Sequence, residues 1–196
     1  HPYVGESVGF FRNFAHCMEE NDTLSIDGRN LSLFIGNEEI MNRVENVANR
    51  LFEDLGDVNP VFLCVLKGSL MFTADFMRAY KGRCEVSFVR ISSYEGTEST
   101  GKAKTVMGLT DELRGRYIVV LEDIVDTGHT MYYLLGQIEA FQPKGVRLVS
   151  LFVKPSKLAA TVKVDYHCFE IPDRFIVGYG LDYNEQYRNL PDIYAL

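Results

Sequence analysis

The stretch of residues 117–130 reads Tyr-Ile-Val-Val-Leu-Glu-Asp-Ile-Val-Asp-Thr-Gly-His-Thr. Its apolar run, residues 118–121, predicts a parallel strand that is buried on both faces. The run ends abruptly at two adjacent carboxylates, Glu122 and Asp123. Because neighbouring residues of a strand point to opposite faces, both acids can reach one ligand only if the strand stops there. Apolar residues then recur at helical spacing, which predicts an amphipathic helix bearing Met131, Leu134, Leu135, Ile138 and Phe141.

The turn between this strand and this helix has the composition of an anion site. After Asp126 it contains a glycine flanked by hydroxyl and imidazole side chains: Thr127, Gly128, His129 and Thr130. Unpaired backbone N–H groups converge at a helix N-terminus, so the turn can cradle a phosphate. The stretch therefore places an acidic pair suited to diols or a metal just before a phosphate-sized nest. Asp-Thr-Gly alone would favour an acidic turn with an ordinary N-cap, and only the full pattern favours the ligand site.

Composition restricts the function further. The chain has 196 residues, 46% of them hydrophobic, which suffices for one domain with a substantial core. Its formal net charge of -7 argues against a general nucleic-acid binder, which needs a basic face. No stretch approaches the roughly 18 apolar residues that span a bilayer. The scattered cysteines lack metal-ligand spacing and imply no disulfide framework, which suits a reducing cytosol: Cys17, Cys64, Cys84 and Cys168.

The remaining elements follow an α/β order. Asn37 is predicted to cap a helix that Gly56 ends, and residues 61–66 form a second apolar run followed by Lys67-Gly68-Ser69. Residues 93–104 are polar and aperiodic, which is typical of a functional lid or a disordered loop. Strands alternating with helices predict a mainly parallel sheet. We expect an N-terminal segment of uncertain structure (1–34) and one domain (35–196), with its core at about 38–153 and a small cap largely at 154–196.

The stretch at 117–130 resembles the phosphoribosyl pyrophosphate (PRPP) signature of the type I phosphoribosyltransferases. Further motifs resemble the 6-oxopurine group of that family, and they occur in the same order: Leu66-Lys67-Gly68, Ser92-Ser93-Tyr94, the signature itself, Val153-Lys154, and 175–183 with Arg188. The resemblance covers the chain from about residue 35 onward. It implies the type I phosphoribosyltransferase fold, a mainly parallel sheet flanked by helices with a small hood over its carboxyl edge.

The resemblance also implies a reaction and a set of roles. A free purine base would be joined to PRPP, giving a nucleoside monophosphate and pyrophosphate in purine salvage. Glu122 and Asp123 would bind the ribose hydroxyls and, with Asp182, organise Mg²⁺. Asp126 would be the general base toward the purine. The residues at 127–130 (Thr127, Gly128, His129 and Thr130) would bind the ribose phosphate, although His129 stands where the family varies and is expected to face solvent.

Other matching positions would complete the substrate site. Lys67, Gly68 and Arg188 would bind pyrophosphate, and Lys154 would donate to the purine 6-oxo group. The remaining substrate contacts implied by the motifs are Ser93, Tyr94, Phe175, which would stack on the base, and Ile176. The resemblance further implies a homo-oligomer, a dimer or a tetramer, and the scattered cysteines favour the cytoplasm. It leaves open the preference among hypoxanthine, guanine and xanthine.

Two other classes of function could share parts of this pattern. A PRPP-sensing regulator that binds nucleic acid could share the signature, but the chain is acidic and has no helix-turn-helix pattern. A dinucleotide-binding protein would need Gly-x-Gly-x-x-Gly after a predicted strand, and no such motif occurs. The sequence therefore favours an enzyme.

Overall fold

Two sheets organise the part of the chain that the computed structural model describes, residues 23–94, 103–159 and 161–196. The strands are β1 (Thr23–Ile26), β2 (Arg29–Ile35), β3 (Val61–Leu66), β4 (Glu85–Tyr94), β5 (Ala103–Met107), β6 (Tyr117–Val125), β7 (Gly145–Val153), β8 (Tyr166–Glu170), β9 (Ile176–Val177) and β10 (Ile193–Ala195). The α-helices are α1 (Asn37–Leu55), α2 (Leu70–Ala79) and α3 (His129–Glu139). A 3₁₀ turn occupies Asp111–Leu113.

The larger sheet has six strands in the order β5-β4-β3-β6-β7-β8. Strand β5 runs antiparallel to β4, and the other neighbours are parallel. The predicted buried strand is its centre, since β6 lies between β3 and β7 and residues 118–121 are fully covered. The carboxyl ends of β3, β6 and β7 therefore meet at one edge, where open α/β sheets bind ligands.

Helices cover both faces of this sheet. Buried side chains of α1 and α2 pack with one set of strand residues, among them Phe62, Val119 and Leu151. Those of α3 pack with the alternate set, which includes Leu63 and Val120. This alternation is what a period of two along each strand requires. The prediction of a parallel sheet flanked by helices is confirmed.

The second sheet is antiparallel and has four strands in the order β1-β2-β10-β9. It is the hood, and it draws its strands from both ends of the described chain. Ile35 of β2 is in register with Ile193 of β10, and the Tyr183 hydroxyl donates to Asp27 Oδ2 at 2.9 Å. A small apolar cluster, including Leu31 and Val177, lies beneath it. The domain boundary at residues 34/35 stays a prediction.

Local predictions were wrong at three places. Strand β6 does not stop at the acids but continues to Val125, because Glu122 and Ile124 remain in register with β7. The ends of the predicted loop at 93–104 are strand, with Ser93 opposite Lys104, whereas residues 95–102 lie outside the described part. Asn37 is not an N-cap: Gly36 takes that position, and the Asn37 N–H donates to Asp192 Oδ1 at 2.7 Å.

Candidate active site

The turn after β3 lies directly against the acids of β6. The Leu66–Lys67 peptide bond is cis, and Gly68 is buried. A Cβ built at residue 68 would be 1.6 Å from Asp123 Oδ2, so any larger residue would require the turn or the Asp123 side chain to move. On the other side, a Cβ at Gly180 would be 2.2 Å from the Gly68 carbonyl oxygen. The turn is therefore enclosed between the core sheet and the hood.

Glu122, which is buried, and Asp123, which is half-buried, form an acidic pair although the strand continues through them. The Asp123 N–H donates to Glu122 Oε1 at 3.0 Å, and the Ile124 N–H donates to Asp123 Oδ1 at 2.7 Å. Burial, followed by the charge of Asp123, raises the pKa of Glu122 well above its ordinary value. Burial also raises the pKa of Asp123, while the nearby charge of Arg188 acts in the opposite direction. A bound cation or a hydroxyl-rich ligand would stabilise the ionised form of these two carboxylates.

Arg188 joins the hood loop to the site. Its Nη1 donates to the Gly180 carbonyl at 2.8 Å, and its Nη2 lies 2.9 Å from Asp182 Oδ1. Glu185 bridges two cations, since its carboxylate lies 2.5 Å from Lys67 Nζ and 3.3 Å from Arg188 Nη2. The Nε of Arg188 is buried and has no hydrogen-bond partner among the described residues. The positions predicted to bind pyrophosphate, Lys67 and Arg188, thus converge on one carboxylate.

The turn that follows β6 forms a cleft with the start of α3. Gly128 is the N-cap of α3 and has φ +85°, a left-handed conformation that glycine adopts readily. Thr127 and His129 are exposed, and His129 Nδ1 lies 2.9 Å from Thr127 Oγ1. The cleft has a volume of about 90 Å³ and is lined by backbone and side chains of Glu122, Ile124, Val125, Asp126, Thr127, Gly128, Thr130 and Met131. Its N–H groups, hydroxyls and helix dipole suit an anion.

Asp126 and Lys154 face each other beside that cleft. Lys154 Nζ lies 3.9 Å from Asp126 Oδ2, and the Lys154 N–H donates to the Val125 carbonyl at 3.1 Å. Lys154 is almost completely buried, at 8% exposure, whereas a lysine after a strand would ordinarily be solvated. Asp126 Oδ1 is buried and accepts no hydrogen bond from the described residues. An acceptor without a donor is therefore available next to a buried ammonium group.

The other predicted positions lie around this edge or the hood. Phe175 is an exposed aromatic side chain at 40%, and its ring meets Tyr183 edge-on at 5.9 Å. Ile176 is buried in β9. Ser93 and Tyr94 end β4, where their backbones pair with Lys104 and Ala103.

The residues present fit Mg²⁺ only if the substrate supplies part of its coordination. Across 23–94, 103–159 and 161–196, no three His, Cys, Asp or Glu side chains converge into a metal-binding group. Mg²⁺ usually keeps several waters and binds through one or two carboxylates plus substrate phosphates. Glu122 and Asp123 can supply the carboxylates. Asp182 already has both oxygens engaged, by Arg188 and by the Glu185 N–H at 2.8 Å.

Three charged residues at the site were missed in the sequence. Asp173 Oδ1 accepts from Lys154 Nζ at 2.9 Å, and Lys157 Nζ lies 3.1 Å from Asp173 Oδ2. Glu185 is the third, between Lys67 and Arg188. Each lies within a few positions of a motif residue, which was the available signal. Charge alone could not select them, because solvated surface residues carry the same side chains.

Comparison with known proteins identifies the family. The phosphoribosyl transferase domain family matches residues 36–184. The chain belongs to this family, as the fold and the strand–turn–helix signature indicated.

Relatives narrow the assignment within the family. The hypoxanthine-guanine phosphoribosyltransferase of Bacillus subtilis is 40% identical over 165 residues, which are 84% of this chain and 92% of the relative. That of Streptococcus thermophilus is 35% identical over the same coverage. The crystal structure of a hypoxanthine-guanine phosphoribosyltransferase from Bacillus anthracis has a TM-score of 0.78 and 34% identity, covering 84% of this chain and 98% of that chain. The resemblance to the 6-oxopurine group is confirmed.

Proposed function

We propose that the chain transfers the phosphoribosyl group of PRPP to a 6-oxopurine, hypoxanthine or guanine, giving the nucleoside monophosphate and pyrophosphate. The observation that carries this proposal is the position of Lys154 Nζ, 3.9 Å from Asp126 Oδ2, beside the cleft that Asp126 lines. A 6-oxopurine loses a proton from a ring N–H and carries a carbonyl oxygen. Asp126 can accept the proton, and Lys154 can donate a hydrogen bond to the oxygen. Family membership and the relatives support the same reaction.

The ribose side of the reaction falls to the acids of β6. The transition state has an electron-poor, oxocarbenium-like ribose, so fixed anions near the anomeric carbon lower its free energy. Glu122 and Asp123 would bind ribose hydroxyls and contribute ligands to Mg²⁺. The bound ion supplies positive charge that offsets the charge of the pyrophosphate oxygens. The turn at 127–130 receives the ribose phosphate through backbone N–H groups and hydroxyls.

The departing pyrophosphate falls to the turn after β3 and the hood loop. Lys67 and Gly68 would offer main-chain groups, and Lys67 and Arg188 bring positive charge. The planar guanidinium of Arg188 suits paired phosphate oxygens. Glu185 now holds both cations, so pyrophosphate has to displace its carboxylate.

The base side falls to Asp126, Lys154 and Phe175. Asp126 accepts the proton that the purine imidazole loses as its nitrogen bonds to the anomeric carbon. Lys154 donates to the 6-oxo oxygen, and the exposed Phe175 ring offers a stacking surface. Ile176, Ser93 and Tyr94 remain substrate-contact positions by resemblance alone.

Location and assembly remain proposals from the resemblance. We propose a cytoplasmic homo-oligomer of two or four copies. Cys64, Cys84 and Cys168 are free thiols, which suits a reducing compartment. No helix in the described parts of the chain has the length and apolar character needed to cross a bilayer.

The direct test is nucleotide formation followed by absorbance. Protein, PRPP, hypoxanthine and Mg²⁺ should give inosine monophosphate and pyrophosphate, and omission of PRPP or addition of a chelator should stop the reaction. Folded protein that forms no nucleotide from hypoxanthine, guanine or xanthine would overturn the proposal.

A further inference from the structure

Asp126 and Lys154 belong to a larger charge cluster whose other members, Asp173 and Lys157, have no assigned role. Asp173 Oδ1 lies 2.9 Å from Lys154 Nζ, and its Oδ2 lies 3.1 Å from Lys157 Nζ. Asp126 Oδ2 lies 3.4 Å from Lys157 Nζ and 3.9 Å from Lys154 Nζ. Each lysine thus has both carboxylates within reach and is closer to Asp173.

Backbone hydrogen bonds fix the places of these residues. The Lys154 N–H donates to the Val125 carbonyl, and the Ala159 N–H donates to the Thr127 carbonyl, so the segment carrying both lysines is attached to the turn carrying Asp126. The Ile171 N–H donates to the Val153 carbonyl at 2.9 Å, which positions Asp173 two residues later. The side chains adjust within this frame, because three of them are more than a third exposed: Asp126, Lys157 and Asp173.

The proposed reaction makes different demands on the two lysines. When a 6-oxopurine is bound, its carbonyl oxygen engages the Lys154 ammonium. Lys157 has no substrate partner, so its ammonium is shared between Asp173 and Asp126. A carboxylate paired with an ammonium group has a lower affinity for a proton, and this weakens a general base.

We propose that Asp173 is a positioning residue that competes with Asp126 for the Lys157 ammonium and so keeps Asp126 available as the base. The inference rests on the proposed function, since it assigns Asp126 the proton transfer. Asp173 and Lys157 would not contact the substrate; they would act on the reaction through Asp126. A merely structural ion pair at this place would contribute little to stability, because exposed ion pairs are only weakly stabilising.

The test is a double-mutant cycle on Asp173 and Lys157. D173N keeps the size of the side chain and removes its charge, so both lysines lose their nearer carboxylate. Because the bound 6-oxopurine engages Lys154, Lys157 is the ammonium group left with Asp126 alone. The rate of nucleotide formation in a single turnover should fall about tenfold, while the KM for PRPP stays within about twofold. K157M alone should change the rate little. The double variant D173N/K157M should recover most of the lost rate, because the surplus ammonium is gone.

A matched control comes from an exposed pair elsewhere. Asp111 pairs with Arg114 at 3.1 Å and is 83% exposed, so D111N removes a similar bond without touching the site. It should leave the rate unchanged. Melting temperatures of all variants check that each is folded.

Several results would overturn the inference. D173N at the unmodified rate would do so, and so would a double variant as slow as D173N. If the unmodified protein forms no nucleotide, the proposed function fails instead. The positioning itself is then read from a crystal structure of D173N, in which the Lys157 Nζ–Asp126 Oδ2 distance should shorten from 3.4 Å; an unchanged distance would contradict it.

Discussion

Asp123 and Gly68 are in direct contact: the carboxylate of the acid occupies the space in which any other residue would carry its Cβ. The Cβ position at residue 68 lies 1.6 Å from Asp123 Oδ2 and 2.6 Å from Asp123 Cγ. The turn after β3 and the acids of β6 therefore cannot be changed independently. The opposite face of the turn meets Gly180, which ties the hood loop to the same place.

Substitution of Gly68 should damage binding of PRPP and pyrophosphate. In Gly68→Ala the turn or Asp123 must move by more than an ångström, so the KM for PRPP should rise at least about tenfold. Gly136→Ala is the matched control, because its Cβ meets nothing within 4 Å inside α3. That control should gain about 0.5–1 kcal/mol of stability, measured by denaturant unfolding. An unaltered KM in Gly68→Ala would show that the contact is unimportant.

Removal of the Asp126 charge should slow the chemistry and spare binding. Asp126→Asn keeps the shape but cannot take up the purine proton, so turnover should fall by about 10²- to 10⁴-fold. Steady-state kinetics should show a KM for PRPP near that of the unmodified protein. Asp57→Asn, which removes an exposed pair with Arg83, is the control. A loss confined to PRPP affinity would mean that Asp126 has another role.

Base choice should depend on Lys154. An ammonium group only donates, so it can bond the 6-oxo oxygen of hypoxanthine and guanine but not the 6-amino group of adenine. The unmodified protein should turn over the first two and little or no adenine, since a mismatch leaves buried polar groups unpaired.

The variant Lys154→Ala should lose much of that discrimination. Lys163→Ala, at an exposed lysine paired with Asp165, should retain it. The measurement is kcat/KM for each base. Adenine used as efficiently as hypoxanthine by the unmodified protein would contradict the role given to Lys154.

Burial of Glu122 should destabilise the ligand-free protein at neutral pH. Burial raises its pKa above the ordinary value, so the unfolded chain releases this proton more readily than the folded one. The contribution to stability is thus present below the unfolded pKa, near 4.5, and is lost as pH rises through the folded pKa. Glu122→Gln in the presence of chelator should melt at a higher temperature than the unmodified protein at pH 7.5. The difference should shrink as pH falls toward 4.5, and an equal difference at both pH values would contradict this origin.

The sequence predicted those features that depend on local periodicity. The buried run of β6 is visible because an unbroken apolar run indicates a strand that is covered on both faces. The apolar stripe of α3 is visible because its residues recur at helical spacing. Strand β5 was missed because its residues lie in a polar stretch and become a strand only through pairing with β4. Strand β6 continues past Glu122 for a similar reason, since its partner β7 extends to Val153.

The site was predictable where a motif marked it and not where distant segments meet. Asn37 was a reasonable cap by residue type, yet its N–H bonds to Asp192, which lies 155 positions away. Asp173 and Lys157 become neighbours only through the pairing of β7 with β8 and the turn after β7. Contacts between such distant residues follow from the order of the strands in the sheet, which the local sequence does not determine.

The construction of the hood from both ends of the described chain has a consequence for folding during synthesis. Ribosomes deliver β1 and β2 first and β9 and β10 last, so the hood sheet must wait for loop closure across most of the chain. The parallel strands β3, β6 and β7 are complete earlier and can begin to collapse without it. The acids of β6 and the turn after β3 would then exist as a nascent, solvent-open half-site, and Arg188 and Asp182 would arrive only in the final stage of folding.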